Sequence, residues 1–421
     1  MAPSAEIICV GTELLLGEIL NRNAQFLAQE LARLGIPHYY QTVVGDNPVR
    51  MKRAIAVACQ RSGLLIFTGG LGPTPDDLTT AVLADFFDAP LVERPEIWAD
   101  ITQKFAHRGL PPSESNRKQA LLPRGAAILP NPTGSAPGLI WHPREGLTIL
   151  TFPGVPREMH RMWQETAVPY LISQGYGQQP IYSQVLRFWG IPESVLAEKV
   201  APFLDLTRPT VAPYAGEGEV RLRVSTVAAS QAEAATWIDP VVAQIKAICG
   251  IHYYGCDDET LASVVGALLG EQGQTLAVAE SCTGGGIGHQ ITVTPGSSAY
   301  FLGGIVAYDN SLKQALLGVE PQTLALEGAV SAAVAEQMAV GVRSRLHTTW
   351  GLSTTGIAGP EGGTPEKPVG LVYIGLAGPD GVQSLKCEFG AHRGRDWIRL
   401  VTVLTALDTV RRSLLSARAQ G

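Results

Sequence analysis

Hydrophobic and polar positions in the first part of the chain follow two alternating periods. Residues 6–10 form a short apolar run, and residues 24–34 then repeat apolar side chains every three to four positions until Gly35. The same alternation of strand and helix patterns continues to an apolar run at 64–68. This succession predicts a parallel sheet covered by helices, with ligands bound beyond the carboxyl ends of the strands.

Glycines and acidic residues stand where these strands are expected to end. The run at 64–68 leads directly into a loop, residues 69–77, that is rich in glycine and ends in two aspartates. Glycines let the backbone approach a phosphate closely, and carboxylates bind hard divalent cations. Asp76 and Asp77 could instead only cap the helix predicted over 78–87. The candidate ligand-binding residues of this domain, which spans 1–175, are Gly69, Gly70, Gly72, Asp46 and Asp77.

Residues 176–255 carry a different order of patterns. They follow a glycine-containing linker at 175–180, and the order after it is β-α-β-β-α-β. This order predicts a small α+β module of KH-like type that connects or dimerises the larger domains. Arg221 and Arg223 alternate with apolar residues, which favours a solvated strand face over the alternative of a nucleic-acid contact. The predicted strands are 183–188, 210–214, 219–226 and 252–254, and the predicted helices are 193–203 and 231–249.

Residues 256–421 predict a third domain, again of α/β type. Its central feature is the stretch 279–286, in which an apolar strand turns abruptly into Ser281 and, at 284–286, into three glycines. Such a junction predicts a hydroxyl at the exposed start of a helix, whose free N–H groups favour an anion or an oxyanion. A turn that only binds phosphate or only packs is the alternative. Helices are predicted at 260–272, 287–292 and 395–415, and strands at 275–278, 369–377 and 383–389.

Hydroxyl and amine side chains follow the other strands of this domain. Tyr308 ends one predicted strand, Lys313 begins the helix after it, and Thr355 ends a later strand. Serine becomes nucleophilic when a base takes its proton, and a lysine whose pKa is lowered by burial can do so. The pattern therefore favours acyl transfer on an amide or ester, with the N–H groups of the glycine turn as oxyanion donors. Lys313 could instead be a surface residue, and Arg395 or Arg393 could bind a substrate phosphate or only carry charge at a helix start.

Composition and charge narrow the functional classes. The chain has 421 residues, of which 45% are hydrophobic and 17% charged, so several folded domains are expected. A formal net charge of -6 disfavours a general polyanion-binding surface, so we do not expect nucleic acid to be a partner. No apolar run reaches about 18 residues, and the first residues lack a signal-peptide pattern, so we expect a cytoplasmic protein without membrane insertion. The six cysteines and eight histidines lack the spacing of a disulfide framework or a zinc site.

The motifs of the first domain resemble the molybdopterin-binding domain of molybdenum-cofactor biosynthesis. The resemblance implies a three-layer α/β/α fold in which the glycine loop, Asp46 and Asp77 bind the ligand. The same domain also occurs as a nucleotide pyrophosphatase, so it implies either hydrolysis of ADP-ribose with a divalent metal ion or a non-catalytic module that binds a pterin or nucleotide. The residues that carry the resemblance are 11–13, 69–77, 131–138 and 152–156.

The third domain resembles the nicotinamide-nucleotide amidase domain, on residues 279–285, 295–298, 308–313, 355–360 and 367–370. Together with the first domain, it resembles the CinA family (competence/damage-inducible protein A) over essentially the whole chain. The resemblance implies hydrolysis of nicotinamide mononucleotide to nicotinate mononucleotide and ammonia by a homodimer, without a cofactor. An interaction factor in competence or DNA repair is the alternative. The resemblance implies the catalytic residues Ser281, Tyr308, Lys313 and Thr355 and the substrate-binding residues Ser298, Gly284, Gly285 and Arg395.

Overall fold

The computed structural model describes residues 4–177, 180–216 and 218–420. Gln178 and Gln179, in the linker that the sequence predicts, lie outside the described residues. The chain forms two compact units, and the division into three domains at 175 and 255 stays a prediction. The first unit comprises Met1–Tyr182 and Thr226–Thr236, and the second comprises Ser183–Ser225 and Trp237–Gly421.

The N-terminal domain alternates strands and helices as its hydrophobic pattern predicts. Its strands are β1 (Ala5–Val10), β2 (His38–Val44), β3 (Leu64–Thr68), β4 (Leu91–Glu93), β5 (Leu121–Pro123), β6 (Ala127–Leu129), β7 (Gly138–Arg144) and β8 (Leu147–Phe152). Its helices are α1 (Thr12–Leu16), α2 (Arg22–Leu34), α3 (Pro48–Arg61), α4 (Thr79–Phe86), α5 (Pro95–Ala106), α6 (Pro156–Met162) and α7 (Val168–Ser173). The main sheet has the order β2-β1-β3-β8-β7-β6, and β2, β1, β3 and β8 run parallel.

Helices cover both faces of this sheet. Ile7 and Ile8, successive residues of β1, are fully buried and belong to two different core clusters. The Ile7 cluster includes Leu27 of α2, and the Ile8 cluster includes Ile55 of α3. Because successive residues of a strand face opposite sides of the sheet, the domain has the three layers, α/β/α, that were predicted.

The middle module has the predicted order β-α-β-β-α-β. Its sheet has the order β10-β11-β9-β12. Leu222 and Val224 of β11 are fully buried, whereas the alternate position Arg223 is exposed and Arg221 forms an ion pair with Glu219. The solvated strand face is therefore observed. The elements are β9 (Ile181–Phe188), α8 (Glu193–Leu204), β10 (Thr210–Ala215), β11 (Val220–Val227), α9 (Gln231–Cys249) and β12 (Tyr253–Cys256).

One segment of the described residues, Gln231–His252, is long and apolar enough to cross a membrane by length and composition. It contains α9, which includes Pro240. Ile238, Val242 and Ile245 of this helix are buried inside the protein. A packing helix of a small α+β module has the same composition, so the absence of membrane insertion stays a prediction.

The C-terminal domain is built on a five-stranded sheet. Its strands are β13 (Leu276–Glu280), β14 (Phe301–Val306), β15 (Trp350–Gly356), β16 (Leu371–Gly378) and β17 (Gly381–Glu388). Its helices are α10 (Leu261–Glu271), α11 (Gly286–Thr292), α12 (Asn310–Leu317), α13 (Pro321–Glu327), α14 (Ala332–Leu346) and α15 (Arg395–Gln420). The strand order is β14-β13-β15-β16-β17, in which β14, β13 and β15 are parallel and β16 and β17 antiparallel. The carboxyl ends of β14, β13 and β15 therefore meet at one edge, as the α/β prediction requires.

Two predicted boundaries in this domain are displaced by a few residues. Strand β14 ends at Val306, so Tyr308 lies two residues beyond the strand and not at its end. Helix α12 begins at Asn310, because the Asp309 carboxylate accepts a hydrogen bond from the Ser311 N–H at 2.8 Å and caps it. Lys313 is therefore the fourth residue of the helix and not its first.

Candidate active site at the ends of three parallel strands

Ser281 follows β13 directly and lies between its two neighbouring strands. Its N–H donates to the Thr354 carbonyl of β15 at 3.0 Å, and the Ala307 N–H, just after β14, donates to the Glu280 carbonyl at 2.9 Å. Ser281 is only 8% exposed, so the prediction of an exposed junction is wrong; the flanking strands enclose it. Within the described residues, the Ser281 Oγ has no hydrogen-bond partner. An enclosed hydroxyl without a partner is available for chemistry.

Lys313 is buried, with only 2% of the residue exposed, and its amine interacts electrostatically with Cys282, the residue after Ser281. Its Nζ donates to the Tyr308 carbonyl oxygen at 2.9 Å. Burial lowers the pKa of Lys313, and the nearby Asp309 carboxylate offsets part of this shift. No carboxylate of the described residues forms an ion pair with the Lys313 amine. Lys313 is thus a buried amine, which excludes the alternative of a surface lysine, and its hydrogen bond is to Tyr308 and not to Ser281.

The neighbouring thiol is chemically inert. Cys282 is buried, and burial raises the pKa of its thiol to about 12. A thiol with so high a pKa is not a thiolate at neutral pH, and the thiolate is the reactive species. Of Ser281 and Cys282, the serine is therefore the available nucleophile.

Two of the three N–H groups predicted as oxyanion donors at 284–286 already have a hydrogen-bond acceptor. The Gly284 N–H donates to the Ser281 carbonyl at 3.1 Å, and the Gly286 N–H donates to the Thr283 carbonyl at 3.2 Å. Those two N–H groups are therefore committed to closing the turn. The prediction missed this because consecutive tight turns use their own N–H groups.

The start of α11 is also occupied. The N–H groups of Ile287 and Gly288 donate to the Glu280 carboxylate, at 3.0 and 2.9 Å. Glu280 is 1% exposed and so acts as a built-in anion at this helix end. Sequence reasoning did not predict this role, although an acid one residue before Ser281 was a visible signal. In the described part of the chain, the turn N–H groups that lack a backbone carbonyl acceptor are those of Cys282, Thr283 and Gly285.

Thr355 lies at the end of β15 but is not free to donate. It is buried, and its Oγ1 donates to the Ala329 carbonyl at 2.7 Å. It could contact an oxyanion only after leaving that carbonyl. The structure therefore brings Thr355 to the same edge of the sheet as Ser281, but its hydroxyl proton is already bonded to the Ala329 carbonyl.

Arginines of α15 reach the same edge of the sheet. Arg395 donates through Nη2 to the Tyr308 hydroxyl at 3.1 Å and through Nη1 to the Gly359 carbonyl at 2.6 Å. Arg393 instead stacks over the Trp397 ring at 4.6 Å, so of these two arginines Arg395 is the one that contacts the site. Arg399, which was not predicted, also contacts the site, because its Nη2 donates to the Thr283 carbonyl at 2.9 Å. Its signal was its spacing of four residues from Arg395, which places both on one helix face.

Ser298 is not brought to Ser281 within the chain. It is an exposed residue of the 3-10 helix Ser297–Ala299, which precedes β14. The Leu276 N–H donates to the Tyr300 carbonyl at 2.8 Å, so this segment lies beside the start of β13. Ser281 follows the other end of the same strand. The substrate-binding role assigned to Ser298 therefore requires a contact that a single chain does not form.

The N-terminal domain has a separate cleft at the carboxyl ends of its own strands. Gly69 and Gly70 have φ angles of 100° and 68°, and a Cβ on Gly69 would lie 2.1 Å from the Val10 carbonyl oxygen. Glycine is required there because the loop folds tightly onto β1. A cavity of about 430 Å³ opens beside this loop. Among the residues that line it are Gly69, Gly70, Gly72, Asp46 and Asp77.

The two aspartates of this cleft hold its loops. Asp46 accepts through Oδ2 from the Thr12 N–H and hydroxyl, at 2.9 and 2.8 Å, and Asp77 accepts through Oδ2 from Thr74 in the same way, at 2.9 and 2.5 Å. Helix α4 begins at Thr79 without a side-chain cap, so the capping alternative for Asp76 and Asp77 is wrong. No group of three or more acidic, histidine or cysteine ligands occurs within the described residues. Two carboxylates that keep a second oxygen fit a divalent cation that takes its other ligands from a phosphate and water.

Comparison with known proteins gives the family of the chain. The probable molybdopterin binding domain matches residues 6–173, the damage-inducible protein CinA KH domain matches 183–255, and the CinA C-terminal domain matches 258–414. A CinA-like protein of Cyanothece sp. is 70% identical over 416 residues, which cover 99% of this chain and 100% of the relative. The chain belongs to the CinA family. The predicted family and fold class, including the KH module, are confirmed.

A second relative is similar over the whole chain, and a solved structure is similar over part of it. A CinA-like protein of Acaryochloris marina is 68% identical over 416 residues, covering 99% of both chains. Among solved structures, the competence/damage inducible protein CihA of Agrobacterium tumefaciens is 42% identical, covers 37% of this chain and 93% of its own, and has a TM-score of 0.36. The similarity to the two CinA-like proteins extends over both clefts described above.

Proposed function

We propose that the C-terminal domain hydrolyses the carboxamide of nicotinamide mononucleotide to nicotinate mononucleotide and ammonia. The observation that supports this most is a Ser281 hydroxyl without a partner among the described residues, next in sequence to Cys282, with which the buried Lys313 amine interacts. Burial lowers the pKa of Lys313 and so favours the neutral amine, which is the form that can take the serine proton. The residues provide this chemistry without a cofactor.

In the proposed reaction, Ser281 Oγ attacks the carboxamide carbon while its proton passes to the Lys313 amine. The N–H groups of Cys282 and Thr283, which follow the nucleophile directly, are assigned to the oxyanion in place of those at 284–286. Collapse of the tetrahedral intermediate breaks the C–N bond, and the proton on Lys313 leaves with ammonia, relayed by the Tyr308 hydroxyl. Water then attacks the ester and returns a proton to Ser281, which releases the carboxylate.

For the N-terminal cleft we propose hydrolysis of ADP-ribose to AMP and ribose 5-phosphate in the presence of a divalent metal ion. The cavity beside the glycine loop fits a pyrophosphate, and Asp46 and Asp77 would hold the cation. Such a cation would neutralise charge on the pyrophosphate oxygens. Asp46 and Asp77 would also keep the two loops in place through their bonds to Thr12 and Thr74.

Asp46→Asn and Asp77→Asn test this proposal. Each amide keeps an oxygen that can accept from the neighbouring threonine, but it removes the charge that binds the cation. We expect AMP production, measured by chromatography with Mg²⁺ present, to fall about tenfold or more in each variant. Asp85→Asn, an exposed change on α4, is the matched control and should leave production unchanged. If the wild-type protein produces no AMP with any divalent ion, the cleft is a non-catalytic binding module.

We further propose a cytoplasmic homodimer that pairs through β14. This strand is an edge of its sheet, and residues 293–308 contain no charged residue. Leu302 and Val306 of the strand are about half exposed. Uncharged edge strands usually pair, and antiparallel pairing of two copies would bring Ser298 of one copy toward Tyr308 of the other. This pairing would supply the contact that Ser298 lacks within one chain.

Leu302→Lys tests the dimer. A charge on the edge opposes strand pairing, so we expect the mass measured by light scattering after gel filtration to fall from two chains to one. Val382→Lys places the same charge on β17, the opposite edge, and should leave a dimer. A wild-type protein of one-chain mass, or a dimer that Leu302→Lys does not affect, would contradict pairing through β14.

A further inference from the structure

We infer that Arg399, together with the Gly285 N–H, forms the subsite for the phosphate group of the substrate, and that Arg395 instead positions Tyr308. The inference rests on the proposed deamidation, because it assigns the part of the same site that recognises the nucleotide. It also changes the role that the sequence favoured for Arg395.

Three residues of α15 follow the glycine turn on successive turns of one helix face. Arg395 contacts Tyr308 at the near end of this face. Arg399, four residues later, donates to the Thr283 carbonyl, and its Nη2 lies 3.5 Å from where a Cβ on Gly284 would stand. Val403, four residues further on, packs beside Gly286, with its Cγ2 3.0 Å from the position of a Cβ there. The guanidinium that lies against the middle of the turn is therefore that of Arg399.

The two arginines differ in the donors that they have left. Arg395 uses one N–H of each terminal nitrogen, for the Gly359 carbonyl and the Tyr308 hydroxyl. Arg399 commits only Nη2 to a carbonyl, so its Nη1 and Nε remain for a ligand. Guanidinium presents five N–H donors in a planar fork that matches phosphate oxygens. Arg399 therefore has the larger remaining capacity for an anion.

The Arg399 guanidinium has no carboxylate partner in the part of the chain that the structure describes. Within the described residues, neither Arg399 nor Arg395 forms an ion pair, although the chain as a whole carries a net charge of -6. The nearest buried acid of the turn, Glu280, is committed to the N–H groups of Ile287 and Gly288. A cation left without a counter-charge beside a backbone N–H without a carbonyl acceptor fits a phosphate monoester.

The conformation of the turn explains why glycines are needed at this subsite. Gly284 and Gly285 have φ angles of 59° and 93°, which other residues rarely adopt. A side chain on Gly284 would also occupy the space that Arg399 faces. The turn thus keeps its backbone open to a ligand. Of the two roles predicted for it, phosphate binding is favoured over an oxyanion role of Gly284.

The test compares full-length wild-type protein, Arg399→Met, Arg395→Met and Arg393→Met. Each is assayed for kcat and KM with nicotinamide mononucleotide and with nicotinamide riboside, which lacks the phosphate. For Arg399→Met we expect kcat/KM for the mononucleotide to fall about 10- to 100-fold, mainly through KM, and the preference over the riboside to fall with it. Arg395→Met should lower kcat for both substrates. Arg393→Met, whose arginine stacks on Trp397, should leave both unchanged.

A binding measurement separates this inference from the proposed reaction. Ribose 5-phosphate is titrated calorimetrically into the wild-type, Arg399→Met and Arg393→Met proteins, with circular dichroism to verify folding. Binding that only Arg399→Met weakens supports the subsite even if no deamidation is found. Equal losses with the mononucleotide and the riboside in Arg399→Met, or unchanged ribose 5-phosphate binding, would overturn it while leaving the deamidation intact. A loss of mononucleotide preference in Arg395→Met instead would return the phosphate to Arg395.

Discussion

Ser281→Ala is expected to reduce ammonia release from nicotinamide mononucleotide by about 1000-fold or more, because it removes the proposed nucleophile. The same change should leave the thermal unfolding midpoint nearly unchanged, since the hydroxyl that it removes has no hydrogen-bond partner in the described structure. Ammonia release and unfolding are measured on the same preparation. A loss of activity without a loss of stability is the result expected if Ser281 is the nucleophile.

Ser353→Ala provides the matched control for this prediction. Ser353 is a fully buried serine of the neighbouring strand β15, and its Oγ donates to the Ala335 carbonyl at 2.5 Å. Its replacement should cost about 1 kcal/mol of unfolding free energy and leave ammonia release largely intact. If Ser281→Ala keeps near-normal turnover, the nucleophile is instead Ser298, Thr355 or an activated water.

Lys313→Met is expected to abolish activity and to stabilise the protein. Methionine fills a similar volume without a buried amine, so the unfolding free energy at neutral pH should rise by about 1 kcal/mol, after allowance for the lost bond to the Tyr308 carbonyl. Catalysis should fall because the change removes the proposed base. Lys386→Met, which removes an exposed lysine paired with Glu388, should change neither quantity.

The lowered pKa of Lys313 fixes the direction of the pH dependence. The amine acts as a base only when neutral, so kcat/KM should rise with pH through the pKa of Lys313, below the usual range of lysine. Between that pKa and the ordinary value of 10.5, the unfolded chain binds more protons at Lys313 than the folded protein. Wild-type stability should therefore increase with pH over this window relative to Lys313→Met. Full activity in Lys313→Met, or a kcat/KM that falls with rising pH over the same range, would remove Lys313 as the base.

More of the fold than of the candidate site could be predicted from the sequence. Strands such as β3 and helices such as α2 have strong local signals, because an apolar run or a period of 3.6 residues reports burial directly. The convergence of Ser281, Tyr308 and Thr355 at one sheet edge also follows from parallel strands. The hydrophobic pattern could not predict which N–H groups already donate to acceptors within the protein. This depends on contacts such as those between Glu280 and α11.

Arg399 and Ser298 both show that distance along the sequence does not predict which residues meet at the site. Arg399 is placed at the glycine turn by the packing of α15 against α11, which joins residues more than a hundred positions apart. Ser298 stands close to Ser281 in the sequence, yet the intervening helix α11 carries it to the opposite end of β13. In both cases the separation in sequence did not predict proximity to the site, because tertiary packing decides which side chains meet.

The most direct test of the proposed function is incubation of the full-length protein with nicotinamide mononucleotide in ¹⁸O-labelled water. Products are separated by chromatography and analysed by mass spectrometry, and ammonia is measured in parallel. We predict nicotinate mononucleotide and ammonia in equal amounts, with one ¹⁸O atom in the new carboxylate. Unchanged nicotinamide mononucleotide, or release of free nicotinamide by cleavage at the ribose, would contradict the proposed deamidation.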